Sequence, residues 1–146
     1  MIARILSLGL AMLGTLAFAD DKKQAEEIKK MDGTWLVVTG ELGGTALPEE
    51  VTKTFTLTLD GGKYAVKVGG QDDKGTCTID PTKKPKELDI KGEEGPNKGK
   101  TIPCIYELDG DTLKVCYDLS GKKRPTEFKT EKDTLLYLAV YKRQKP

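Results

Sequence analysis

The segment Thr54-Phe55-Thr56-Leu57-Thr58-Leu59-Asp60-Gly61-Gly62-Lys63-Tyr64-Ala65-Val66-Lys67-Val68 decides the fold. Phe55, Leu57 and Leu59 alternate with threonines, and Tyr64, Val66 and Val68 alternate with Ala65 and Lys67 on the return. Alternation with period two marks strands with one buried face, and the Gly61-Gly62 link between them marks a tight hairpin. Pairing across that link sets Leu59 opposite Tyr64, Leu57 opposite Val66 and Phe55 opposite Val68. All six apolar side chains then fall on one face, and a slip of one residue would turn every one of them to solvent.

The same period continues outward from the hairpin. Downstream, Cys77 shares a face with Ile79, and Leu88 with Ile90 after the turn region Pro81 to Pro85. Cys104, Tyr106 and Leu108 form a further inward row, answered after the Asp109-Gly110-Asp111 turn by Leu113, Val115 and Tyr117. The final run, Leu135 to Tyr141, is apolar at successive positions, so both of its faces need cover. Upstream, a strand starts at Trp35, preceded by the one segment with helical periodicity. There Asp20-Asp21 can cap, Glu26 can pair with Lys29 or Lys30, Ala25, Ile28 and Met31 form a stripe, and Gly33 stops the helix. This short N-terminal helix is the expected cover for the outer face of the last strand. Eight antiparallel strands joined mostly by short turns predict an all-β fold, an up-and-down barrel without free edges. A two-sheet sandwich is the alternative.

The first residues point to export. Arg4 gives a positive start, Ile5 to Phe18 is a run of about 14 mostly apolar residues, and Ala17-Phe18-Ala19 fits a small-residue cleavage site. The run is shorter than the roughly 20 residues that span a bilayer as a helix. Residues 1–19 therefore read as a secretory signal peptide, with residues 20–146 as one domain in the periplasm or outside the cell. No membrane span is expected after cleavage. Arg4 is one of 24 basic residues, so the segment after Ala19 carries 23 basic against 23 acidic side chains. A neutral chain with interspersed charges offers no footprint for nucleic acid.

Chemistry is sparse. There is no histidine in the chain, which removes the usual base near neutral pH and the commonest metal ligand. Ser120 is the one serine after the leader and has no base nearby in sequence, which argues strongly against serine hydrolysis. Cys77, Cys104 and Cys116 cannot all pair with one another. The register that puts Tyr106 opposite Val115 turns Cys104 inward toward Tyr117 and Cys116 outward opposite Ile105, so those two cannot bridge. Cys77 and Cys104 share the inner face, with the Leu88–Ile90 strand expected between them. The three are expected as free, buried thiols, and no metal, cofactor or catalytic residue is expected. Asp109-Gly110-Asp111 lacks the further oxygens of a calcium loop and reads as a hairpin turn. Asp72-Asp73 and Glu93-Glu94 read as solvated loop charge. Arg124, before Pro125, reads either as the partner of a carboxylate or as a rim residue holding an anionic ligand group.

Gly33-Thr34-Trp35, placed between helix and first strand, resembles the G-x-W signature of the lipocalins. The resemblance implies that a basic residue of the last strand, Arg143 or Lys142, packs over the Trp35 indole at the closed end of the barrel. A second resemblance extends over most of the chain. Ile105 to Leu113 (IYELDGDTL), Cys116 and Arg124 to Phe128 (RPTEF) are similar to a small family of secreted planctomycete domains. Thr78-Ile79-Asp80-Pro81 and Pro85 to Ile90 fit it as well. That likeness implies lineage and fold and lends no catalytic residue.

Two functional expectations emerge. In the first, the domain is a non-enzymatic binder whose interior, lined by Trp35, Phe55, Tyr64, Tyr106 and Tyr117 with Arg124 at the rim, takes a small apolar or amphipathic molecule. In the second, the barrel is filled by its own side chains and serves as a structural or protein-interaction module.

Overall fold

The computed structural model describes residues 8–145, with side chains described from Asp20 onward. It opens with helix α1 (Leu8–Met31), followed by β1 (Gly33–Leu42), the two-residue β2 (Thr45–Ala46) and the single turn α2 (Glu49–Thr52). Seven further strands complete the chain: β3 (Thr56–Asp60), β4 (Lys63–Val68), β5 (Gln71–Asp80), β6 (Lys86–Glu94), β7 (Thr101–Asp109), β8 (Thr112–Asp118) and β9 (Leu136–Arg143). Each strand from β3 to β8 pairs antiparallel with its successor, and β1 pairs with both β3 and β9. Eight strands thus close into a barrel consistent with a lipocalin-like one, and β2 is an extra strand folded back on the end of β1.

The hairpin registers match those derived from periodicity. Leu57 faces Val66 and Leu59 faces Tyr64 across a link in which Gly61 and Gly62 both have positive φ, 57° and 85°. That geometry suits a two-residue turn whose twist agrees with its strands. In β7–β8, Cys104 faces Tyr117, Ile105 faces Cys116 and Tyr106 faces Val115. Strand β6 lies between β5 and β7 as expected, with Cys77 beside Ile90 and Leu88 beside Cys104. All three cysteines carry free thiols.

Three expectations are corrected. The helix does not begin at an Asp20 cap: α1 runs back through the Leu- and Ala-rich segment to Leu8, because leucine and alanine are among the strongest helix formers. Met1 to Ser7 of the expected leader lie outside the described residues. Ala25 is exposed, and the inward stripe is Gln24, Ile28 and Met31. Nor does α1 cover the outer face of β9. It packs against β3 and β5, where Met31 and Ile28 join the core, and the Gln24 amide donates to the Ile79 carbonyl at 2.7 Å. Among the described residues no helix is long and apolar enough to cross a membrane.

The cover for the outer wall comes from residues 119–135, which have no regular structure. Arg124 spans β6 and β7 from outside, donating to the carbonyls of Leu88 (3.1 Å) and Cys104 (2.8 Å) while pairing with Asp89 at 2.6 Å and Glu87 at 3.5 Å. The Cys116 thiol approaches the Lys129 carbonyl at 3.6 Å, and Lys114 lies over the Phe128 ring. Ile105 and Cys116, both outward-facing, are buried beneath this segment. Asp118 anchors its start, accepting from the Ser120 hydroxyl and from the backbone N–H groups of Ser120, Lys122 and Lys123. Burial alone would raise this carboxyl, yet those donors hold it below the usual carboxylate range.

Candidate functional site

One end of the barrel is sealed. Trp35 is fully buried and donates its indole N–H to the Met31 carbonyl at 2.9 Å, tying the helix end to the first strand. Arg143 lies over the indole face, 4.3 Å from the ring centre, as the G-x-W resemblance implied. Its guanidinium also donates to the carbonyls of Lys30 and Asp32 and pairs with Asp111 at 3.0 Å. These are the last carbonyls of α1 and its exit, where a cation complements the helix dipole. Gly33 has φ of 139°, which favours glycine, and a Cβ there would lie 2.8 Å from Arg143 Nη1 and push that guanidinium from its place.

The opposite end holds a cavity of about 190 Å³. Its walls come from inward positions of successive strands: Leu57 of β3, Tyr64 and Val66 of β4, Ile90 of β6, Ile102 of β7, and Tyr117, Tyr137 and Tyr141 of β8 and β9. Phe55, Val68 and Leu119 form the rim, the last two well exposed for apolar side chains. Tyr117 and Tyr137 stack with ring centres 5.4 Å apart, and the hydroxyls of Tyr117 and Tyr141 share a hydrogen bond of 2.7 Å. Burial raises the Tyr117 and Tyr141 phenols far above their ordinary range, so both stay neutral. The Tyr137 hydroxyl is buried without a partner.

Among the cavity's walls one carboxylate stands out. Asp73 of β5 is only 4% exposed. One of its oxygens accepts from the Asn97 amide at 2.5 Å, and the other lies 3.5 Å from the Tyr64 hydroxyl. Asn97 reaches it because the β6–β7 loop folds closely over the strand: a Cβ at Gly92 would lie 1.9 Å from the Asn97 carbonyl oxygen. A Cβ at Gly95 would lie 2.4 Å from the Asp72 carbonyl oxygen. Small residues at both points permit that approach.

Of the expected lining residues, the structure brings Phe55, Tyr64 and Tyr117 together at the cavity and keeps three others out. Trp35 and Tyr106 belong to the packed closed half, at 0% and 1% exposure, because each lies on the helix side of its strand. Arg124 is on the outer wall, held by Asp89 and Glu87, so it does not reach a ligand at the rim. Asp72-Asp73 and Glu93-Glu94 are strand residues of β5 and β6, not loop charge. Sequence reasoning missed Asp73, Tyr137 and Tyr141. The signal for Asp73 was present, since it continues the inward series Ile79, Cys77 and Gly75 backward by one step. Tyr137 and Tyr141 flank Ala139 with period two inside a run whose uniform apolarity hid the alternation.

The thiols have little reactivity to offer. Burial pushes Cys77 up to about 12, and Cys104 is likewise raised by its burial. Among the described residues, no three Cys, Asp or Glu side chains converge as a metal site requires. No family model matches the chain, and none of the curated proteins matches it.

Proposed function

We propose that this chain is an exported, non-catalytic lipocalin-like domain that binds a small apolar or amphipathic molecule at the open end of its barrel. The observation that carries this reading is the cavity of about 190 Å³, walled by apolar and aromatic side chains at the end opposite the helix plug. Its size sets the ligand. Pockets for drug-sized ligands measure roughly 300–1,000 Å³, whereas an apolar cavity of about 150 Å³ accepts benzene. A single ring or a short branched chain fits this interior, while haem and long acyl chains do not. The leader-like N-terminus supports export, and the similarity to secreted planctomycete domains supports the lineage.

The test is a titration of the purified protein with small neutral compounds such as toluene and benzyl alcohol, followed through the Tyr117 and Tyr137 ring resonances. Saturable shifts confined to the open end are expected. Trp35 fluorescence is a poor reporter because the indole lies at the other end. Lack of saturable binding across a panel of ring-sized compounds would retire the reading. The filled half, with Trp35, Tyr106, Leu113 and Val115 each at most 1% exposed, then favours a structural or interaction module.

A further inference from the structure

We infer that the open-end cavity selects small apolar molecules carrying a protonated amine, which Asp73 receives. The inference rests on the binding role proposed above and names the chemical class of the ligand.

Asp73 is the observation. Its side chain lines the cavity and is almost wholly withdrawn from solvent, yet among the described residues it enters no ion pair. A buried carboxylate is costly to desolvate unless a cation or several strong donors compensate it. Asp73 has two neutral donors: the Asn97 amide, and the Tyr64 phenol at the 3.5 Å limit of a hydrogen bond. An ionised carboxylate can accept about four hydrogen bonds, so roughly half of its capacity is unused. If its task were only to anchor the β6–β7 loop, a neutral amide oxygen would accept from Asn97 as well, without the cost of a buried charge.

The surroundings favour a cation over a further neutral donor. The Tyr64 phenol is raised by its burial and by the negative charges of Asp73 and Glu93, which marks this corner as one of negative potential. Tyr117 and Tyr137 line the same space, and aromatic rings attract an ammonium when water is excluded. The remainder of the wall is aliphatic, which suits the ligand's body. An ammonium group on one carbon beyond a ring matches both the carboxylate and the volume. A carboxylate ligand would meet a like charge.

Benzylamine, benzyl alcohol and benzoate are close isosteres that differ in head group, and calorimetry with the full chain at neutral pH separates them. The expected result is that benzylamine binds about tenfold or more tightly than benzyl alcohol, as a charge-assisted bond to a buried carboxylate should give. Benzoate should not bind. Asp73→Asn should erase the preference for the amine over benzyl alcohol, read as the ratio of the two affinities in the same variant. Equal affinities for amine and alcohol in the unmodified protein would overturn the inference and leave the apolar-binder reading intact, as would preference for benzoate. Failure of all three compounds to bind would overturn both. The comparison on the unmodified protein decides the matter even if Asp73→Asn does not fold.

Discussion

The two ends of this barrel use similar residues to opposite effect. At the helix end, Trp35, Tyr106 and Leu113 are buried to within 1% exposure, and Arg143 ties the indole to the end of α1. At the far end, Tyr64, Tyr117, Tyr137 and Tyr141 surround a space of about 190 Å³, and apolar residues reach the rim. Both ends are aromatic, so composition does not separate them. What differs is the cap: a helix terminus fills one opening, while the other has only the close-fitting β6–β7 loop and the single turn α2. An eight-stranded interior is just wide enough either to be filled by side chains or to hold one small ligand, and the two ends of this barrel show the two outcomes.

That contrast can be broken most drastically by alkali. Tyr137, Tyr117 and Tyr141 at the open end and Cys77 on the inner wall all have their ionisation raised by burial, Cys77 from 9.0 and Tyr137 from 10.0 to about 12 each. A folded-state value above the unfolded one gives stability that is complete below the unfolded value and lost as pH climbs toward the folded one. The protein should therefore hold constant stability up to about pH 9 and unfold cooperatively before the buried phenols titrate. Tyrosinate absorbance read beside the near-ultraviolet dichroism of Trp35 checks this. Phenols that titrate normally near pH 10 with Trp35 still ordered would mean the open end is solvated.

A sharper cut removes the plug's centre. Trp35→Ala should cost about 3–5 kcal/mol in urea unfolding, since the surrounding strands cannot collapse into the vacated volume. Gly33→Ala should cost about 1–3 kcal/mol, through a strained backbone and displacement of Arg143 from the indole. Loss of the Trp35 dichroism signal should accompany it without change at the tyrosines. The open end should respond more mildly. Tyr117→Phe breaks a hydroxyl pair and leaves the Tyr141 hydroxyl buried alone, for about 1 kcal/mol. Tyr137→Phe removes a hydroxyl that has no partner and should be neutral or slightly stabilising. If Tyr137→Phe proves as costly as Tyr117→Phe, a bound water or ligand serves that hydroxyl.

The sequence made the walls legible and the ends obscure. Period two fixes which side chains point inward, so the β3–β4 and β7–β8 registers could be read residue by residue. It does not say how far along each strand a layer sits, so Trp35 and Tyr106 looked as suitable for a cavity as Tyr64 and Tyr117. The stripe of α1 requires a covered surface without naming it, and both the barrel end and the outer face of β9 qualified. The true cover of the outer wall, residues 119–135, carries no periodicity because its backbone is held by Arg124 and Asp118 and not by a ladder. Asp73 was hidden by its neighbours, since Gly69-Gly70 and Gly75 on either side read as loop.

The seam between β1 and β9 also imposes an order on the chain's birth. Trp35 pairs with Arg143, and Arg143 bonds to Asp32 across a sequence separation of 111. A nascent chain emerging from the ribosome can form each successive hairpin as it appears, yet its first strand keeps one unpaired edge until the last eight-residue strand, Leu136–Arg143, has been made. Such long-range closure slows folding, because the entropy of a large loop is spent before the contacts that reward it form. The time between synthesis and closure is thus set by β9, and throughout it the barrel carries an open edge on β1 that another strand could pair with.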